Sequence, residues 1–76
     1  MEKVLRMLEE IRPEFDFQNA SHFIENGLLD SLDIITLVSM LDESFHISIN
    51  GTDIVPENFE DIESINKLIL KSGGTL

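Results

Sequence analysis

The sequence of 76 residues contains no cysteine, which excludes a disulfide framework and any thiolate metal site. The lack of cysteine also fits a reducing compartment, and we expect a cytoplasmic protein. No apolar run approaches the roughly 18 residues of a membrane-spanning helix, and the first residues lack the basic and apolar segments of a signal peptide. We therefore expect one soluble, monomeric domain over residues 1–76 that is held together by packing alone.

Positive charge is scarce and unevenly distributed. Five Lys and Arg residues oppose fifteen Asp and Glu residues, which leaves a formal net charge of −10. The five cations lie near the two ends of the chain and are Lys3, Arg6, Arg12, Lys67 and Lys71. Residues 13–66, which surround Ser31, contain carboxylates but no Lys or Arg. This anionic middle would repel nucleic acids and anionic membranes and would attract proteins with basic patches. Solubility alone is the alternative explanation for the acidic excess.

The residue types that support catalysis or metal binding are also few. The chain has two histidines, His22 and His46, and no Gly-rich phosphate loop. A chain this short is expected to lack a pocket in the usual range of about 300–1,000 Å³. Nothing in the spacing supports a Ser-His-Asp site built from Ser31 and His46, and the segment from Asn50 to Asp53 lacks the ligand pattern of an EF-hand. We predict no catalytic residue and no metal site.

Amphipathic segments near the two ends predict helices. The first runs from about Glu2 to Arg12, and Pro13 disfavours its continuation. The second follows Asp61, which can cap its N-terminus, and Gly73-Gly74 can end it. The apolar residues predicted to face the core are Val4, Met7, Leu8, Ile11, Ile62, Ile65, Leu68 and Ile69.

The strongest predicted helix lies in the middle of the chain and ends near Phe45. Asp30 can cap its N-terminus, and Asp33 occupies the third helical position, a pattern close to a capping box. Its core-facing residues fall within one arc of roughly 100° and are Ile34, Leu37, Val38, Leu41 and Phe45. Leu32 and Ile35 lie off this arc, so they are predicted to be exposed apolar residues beside the helix start.

The remaining segments predict two loops and one short helix. Residues 13–30 form a long loop that apolar side chains anchor, with one short turn that Ser21 caps. The alternation of Ile47 and Ile49 resembles half a β-hairpin, but no partner strand follows, and an extended loop explains the same pattern. Pro56 suits the start of a short helical turn at 56–59. The predicted class is therefore all-α, with three main helices, one short helix and a long first loop.

The segment Asn26-Gly-Leu-Leu-Asp-Ser-Leu-Asp-Ile34 resembles the acyl carrier protein family. In that family an Asp-Ser-Leu triplet followed by Asp opens the second helix, and the serine carries 4′-phosphopantetheine. Ser31 matches that serine, with Asp30 before it and Leu32 and Asp33 after it. The resemblance continues over nearly the whole chain from about residue 23, through Leu37-Val38, Leu41-Asp42-Glu43, Phe45, Pro56-Glu57-Asn58-Phe59 and Ile62-Glu63-Ser64-Ile65.

The resemblance implies a small four-helix bundle and a free-standing carrier that is not itself an enzyme. An acyl group would be carried as a thioester on 4′-phosphopantetheine attached to Ser31, in lipid or fatty acid biosynthesis. The implied partners are a phosphopantetheinyl transferase, a loading ligase, and acyltransferases or synthases with basic docking patches. The predicted partner-binding residues are Asp30, Leu32, Asp33, Ile35, Thr36, Ser39, Asp42 and Glu43.

Three departures from family patterns leave the cargo open. Thr36 stands where fatty-acid carriers usually have Glu, which weakens the acidic face of the helix. Leu28-Leu29 replace the Gly-Gly usual in peptidyl carriers. D-alanyl carriers share Gly-Leu-Leu-Asp-Ser but commonly continue with an aromatic residue or Met and then Gly. An acyl cargo is favoured over an aminoacyl one, and the alternatives are an unmodified acidic interaction protein with this fold and a small hydrolase.

Overall fold

The computed structural model describes residues 2–76, and the described chain is all-helical. Its three α-helices are α1 (Glu2–Ile11), α2 (Ser31–Phe45) and α3 (Ile62–Lys71). None of the described residues lies in a β-strand, which confirms the rejection of a hairpin after α2. No helix within residues 2–76 has the length and apolarity needed to cross a bilayer.

Short 3₁₀ helices interrupt the connections between the α-helices. They are η1 (Phe17–Asn19), η2 (Gly51–Asp53) and η3 (Pro56–Phe59). The helical turn predicted at Pro56 is therefore confirmed, with Pro at its first position. The other two were not predicted. In η2 the Asn50 side chain caps the turn by accepting a hydrogen bond from the Thr52 N–H at 3.3 Å.

The core forms where α1 packs against both α2 and α3. The predicted core-facing residues of α2 are buried, except that Phe45 is half-buried at the end of the helix. There the Lys3 ammonium lies 4.9 Å from the centre of the Phe45 ring, a cation–π distance. The buried apolar residues are Val4, Met7, Leu8, Phe17, Phe23, Leu29, Ile34, Leu37, Val38, Leu41, Ile49, Phe59, Ile65, Leu68 and Ile69.

Two aromatic side chains anchor the long loop between α1 and α2. Phe17 and Phe23 are fully buried, and their rings meet edge to face with centroids 5.1 Å apart. The Phe23 N–H also donates a hydrogen bond to the Glu60 carbonyl at 2.8 Å, which ties the loop to the segment before α3. The predicted short turn closes through a hydrogen bond from the Asn26 N–H to the His22 carbonyl, so His22 occupies the cap position that the sequence analysis assigned to Ser21. The loop is long but anchored, as predicted.

The N-cap of α3 makes part of the stability depend on pH. Asp61 accepts a hydrogen bond from the Ser64 N–H at 2.7 Å. That bond, with a further one from the Ser64 side chain, lowers the pKa of Asp61 below its usual value of 3.8. A carboxyl group with a lowered pKa in the folded state stabilises the fold above its unfolded pKa and loses that contribution as pH falls through the folded value.

We therefore expect Asp61→Ala to lower the free energy of unfolding by about 1 kcal/mol at neutral pH. The difference from wild type should shrink as pH falls below about 4. Urea unfolding at neutral and acidic pH measures both values. Asp61→Asn is the control, because Asn caps a helix without titrating. A wild-type advantage over Asp61→Ala that did not change with pH would contradict this assignment.

Candidate functional site

The candidate site is the N-terminus of α2, where Ser31 is the first helical residue and Asp30 is the N-cap. The Asp30 side chain accepts a hydrogen bond from the Asp33 N–H at 2.9 Å. The Asp33 side chain accepts one from the Asp30 N–H at 3.1 Å. This reciprocal pair is a capping box with Asp in place of Glu or Gln. It holds the backbone on both sides of Ser31.

The loop that leads into α2 is also held in place. The N–H groups of Leu28 and Leu29 donate hydrogen bonds to the Phe23 carbonyl at 2.7 and 3.2 Å. Leu29 and Ile34 occupy the two positions of a hydrophobic staple, and both are buried. Ser31 itself is exposed. The sequence therefore builds a fixed support that leaves the Ser31 side chain in solvent.

Arg12 brings a positive charge to this support. Its Nε donates a hydrogen bond to Asp33 Oδ2 at 2.8 Å, and its Nη2 lies 3.3 Å from Asp30 Oδ2. Its Nη1 lies 3.6 Å from Glu14 Oε2. The sequence alone predicted purely anionic surroundings for Ser31. That prediction was incomplete, because the packing of α1 on α2 brings the residue after α1 to the start of α2.

These contacts favour the charged forms of Arg12 and Asp30. The hydrogen bond and charge of Asp33 raise the pKa of Arg12 above its usual value. The pKa of Asp30 lies below its usual value of 3.8, first because of the hydrogen bond from the Asp33 N–H and then because of the Arg12 charge. An ion pair therefore persists beside Ser31 at neutral pH.

Two apolar side chains stand in solvent next to Ser31. Leu32 is 73% exposed and Ile35 is 62% exposed, as the sequence predicted. Positions three or four apart share a helix face, so Ile35 neighbours both Ser31 and Leu32. Thr36 and Ser39 are exposed as well, and Thr36 Oγ1 donates a hydrogen bond to the Leu32 carbonyl at 3.1 Å. The structure thus brings together most of the predicted partner-binding residues on the solvent side of α2.

The two carboxylates near the end of α2 differ in their surroundings. Asp42 is half-buried, and its Oδ1 accepts a hydrogen bond from the Ile49 N–H at 3.0 Å. It therefore holds the loop that follows α2, a contact that the sequence did not predict. Glu43 is exposed. Of the two, Glu43 is the one that a partner can reach without breaking a contact within the chain.

His46 lies at the opposite end of α2 from the candidate site. His46 caps the C-terminus of α2 in a left-handed conformation, with φ of 55°. The fifteen residues of α2 separate it from Ser31 by about 20 Å. A nucleophile and base pair of Ser31 and His46 therefore cannot form within this chain.

A second set of polar groups forms where the first loop meets the segment before α3. The cluster consists of His22, Glu25 and Glu60. Each residue contributes one potential ligand atom, and these three atoms lie within 4.8 Å of one another. The sequence reasoning missed this cluster because Glu60 is distant from the other two along the chain. All three residues are exposed or half-exposed, and surface carboxylates commonly lie this close without an ion. The geometry alone assigns the cluster no function.

The sequence predicted no pocket of small-molecule size, and that prediction is wrong, because the described residues form an open depression. Its volume is about 460 Å³, which lies within the range of small-molecule sites. It lies where η1 meets the start of α3, and its lining consists of Leu5, Phe17, Gln18, Ala20, Asp61, Ile62 and Glu63. Among the described residues, the lining includes neither serine nor histidine, so it does not pair a nucleophile with a base.

A search with this sequence and structure finds no matching family model, no matching curated protein and no matching solved structure. A functional proposal therefore depends on the Ser31 site, its contacts and its exposure.

Proposed function

We propose that this chain is an acyl carrier protein whose cargo is held on 4′-phosphopantetheine attached to Ser31. The observation that carries the proposal is the position of Ser31, an exposed serine at the first residue of a capped helix. The proposal also draws on the resemblance of residues 26–34 to the attachment motif of that family. The carrier is not itself an enzyme; in the cytoplasm, partner enzymes bind it, modify Ser31 and act on its cargo.

The Ser31 site fits the prosthetic group chemically. An attachment point must be exposed and held by a rigid element, and the capping box of Asp30 and Asp33 meets the second need. The positive end of the α2 dipole lies at Ser31 and favours an anion such as a phosphodiester, while the Asp33 N–H is already bound to the Asp30 side chain. Arg12 offsets part of the opposing charge of Asp30 and Asp33. When bound, the group supplies a terminal thiol that holds the acyl cargo as a thioester.

The attachment itself uses only the hydroxyl group of Ser31. Its oxygen bonds to the pantetheine-side phosphorus of coenzyme A, and the diphosphate bond there breaks. The hydroxyl proton goes to a base of the transferase, and adenosine 3′,5′-bisphosphate leaves. Ser31 is suited to this step because it is exposed and lies at a helix end that backbone hydrogen bonds hold in place.

Leu32 and Ile35 form the proposed apolar centre of the docking surface. Exposed apolar side chains cost nothing to desolvate and gain free energy when a partner covers them. The enzymes expected here are the phosphopantetheinyl transferase, a loading ligase, and an acyltransferase or synthase. The cargo is an acyl chain or, as the second candidate, an aminoacyl group.

The proposed fold is the four-helix arrangement of the same family. The order of three α-helices with a short helix before the last supports it, with η3 as the short member. The long, anchored first loop and the position of Ser31 at the start of α2 agree with that arrangement. The surface charge also agrees with partners that are proteins rather than nucleic acids.

Intact mass spectrometry tests the proposal. After incubation with coenzyme A and a phosphopantetheinyl transferase of broad tolerance, the chain should gain the mass of one phosphopantetheinyl group. Peptide mapping should place that mass on the peptide that contains Ser31. An unchanged mass would contradict the carrier function and would favour the alternative of an unmodified acidic interaction protein, which needs only the exposed surface of α2.

A further inference from the structure

Arg12 has an unusual position among the cations of this chain. It follows the last residue of α1, yet its guanidinium lies against the first turn of α2, 21 residues away in the sequence from Asp33. Lys67 and Lys71 have other partners, since they lie 3.6 Å from Glu63 and 2.8 Å from Asp53. Among these ion pairs, those of Arg12 are the ones at the Ser31 site.

The contacts of Arg12 change which charges a partner meets beside Ser31. Asp33 is the more strongly held acid, and only 13% of its side chain is exposed, against 61% for Asp30. Three carboxylates and one guanidinium together leave a formal charge of −2 where the acids alone would give −3. Arg12 therefore covers the carboxylate of Asp33, whereas the carboxylate of Asp30 contacts both Arg12 and solvent.

Resting on the carrier function proposed above, we propose that Arg12 determines partner specificity by masking the acidic pair that flanks Ser31. A partner cannot pair a basic side chain with Asp33 without displacing Arg12. The partners that fit are enzymes whose surface around the serine entry is mainly apolar, to cover Leu32 and Ile35, with few basic groups facing the start of α2. Basic groups would instead meet exposed carboxylates farther away, such as Glu43.

The proposal has a kinetic consequence. Attraction between exposed charges raises association rates and weakens as salt is added, because the screening length falls to about 10 Å at 0.1 M salt. Removing Arg12 would uncover the Asp33 carboxylate and leave the charge of the exposed Asp30 carboxylate unpaired next to the reacting hydroxyl group. A transferase with a basic carrier-binding face should then associate faster at low salt, and the rate should fall more steeply as salt increases.

The test compares kcat/KM for modification of the wild type, Arg12→Gln, Arg12→Lys and Arg6→Gln between about 0.02 and 0.5 M salt. Arg6→Gln is the matched control, since Arg6 is an exposed residue of α1 and the variant loses the same formal charge. At the lowest salt, Arg12→Gln should exceed the wild type by roughly three- to tenfold. Its salt dependence should be steeper, whereas Arg6→Gln and Arg12→Lys should follow the wild type closely.

Thermal melts accompany the kinetics because Arg12 also links α1 to α2. A merely structural loss would lower kcat/KM by a similar factor at every salt concentration, so the slope separates masking from stability. Equal slopes for wild type and Arg12→Gln would overturn the masking by Arg12 and leave the modification of Ser31 standing. A wild-type chain that the transferase does not modify would overturn the carrier function and this inference with it.

Discussion

A Ser31→Ala variant is expected to keep its unmodified mass under conditions in which the wild type is fully converted. The oxygen of Ser31 is the atom that forms the new bond to phosphorus, so its removal should abolish the reaction rather than slow it. Intact mass spectrometry over a long incubation with excess transferase measures the effect. The expected result is complete loss of modification.

The fold should survive this substitution. Ser31 is exposed, and the N-cap hydrogen bond comes from Asp30, so the change in unfolding free energy should stay within about 0.5 kcal/mol. Ser48→Ala is the matched control, because Ser48 is also an exposed serine but lies after α2, outside the predicted partner-binding residues. It should be modified at the wild-type rate. A Ser31→Ala chain that still gains the phosphopantetheinyl mass would place the attachment on another residue.

Two truncations in α2 are expected to affect different properties. Leu41→Ala should lower the stability of the fold, and Ile35→Ala should impair turnover by partner enzymes. Leu41 is completely buried, so its truncation should cost about 2–5 kcal/mol from the lost burial and the cavity left behind. Small domains have total stabilities of only about 5–15 kcal/mol. Because each 1 kcal/mol shifts the melting temperature of a domain this size by roughly 4–8 °C, the melting temperature of Leu41→Ala should fall by roughly 8–40 °C.

Ile35→Ala should leave the melting temperature nearly unchanged, because 62% of the residue is already exposed in the folded chain. It should instead impair turnover by partner enzymes, since it removes part of the apolar centre beside Ser31. The minority of interface residues that cost more than about 1 kcal/mol of binding when truncated cluster near the centre, and 1 kcal/mol corresponds to about a fivefold loss of affinity. Melts that ranked the two variants the other way would contradict the assignment of the two faces of α2.

Much of this chain could be predicted because the relevant patterns are local. The stripe of Leu37, Val38 and Leu41 predicts the buried face of α2, since helical geometry alone brings these side chains together. The same reasoning predicts that Leu32 and Ile35 are exposed. The caps by Asp30 and Asp61 could also be predicted, because each cap joins residues three apart in the sequence.

Contacts between segments that are distant in the sequence could not be predicted from the residues that make them. Asp42 reads as one more surface carboxylate of α2, yet it accepts a hydrogen bond from the Ile49 backbone after the chain has turned. The 3₁₀ helix η1 depends on how Phe17 fits into the core, and short polar segments have no periodic pattern of their own. The meeting of His22 with Glu60 likewise requires the first loop to lie against the segment before α3.

The surroundings of Ser31 show most clearly which features depend on the local sequence and which depend on the tertiary structure. That Ser31 begins a capped helix, with apolar neighbours in solvent, follows from a run of nine residues and from hydrogen bonds within one turn. Whether the acids beside it are open or covered does not follow from that run. Arg12 reaches Asp30 and Asp33 only because α1 buries its apolar face against α2, and the sequence distance between them reveals nothing of that contact. Burial of the apolar face in the core decides where Arg12 lies, and Arg12 then decides how much negative charge Ser31 presents.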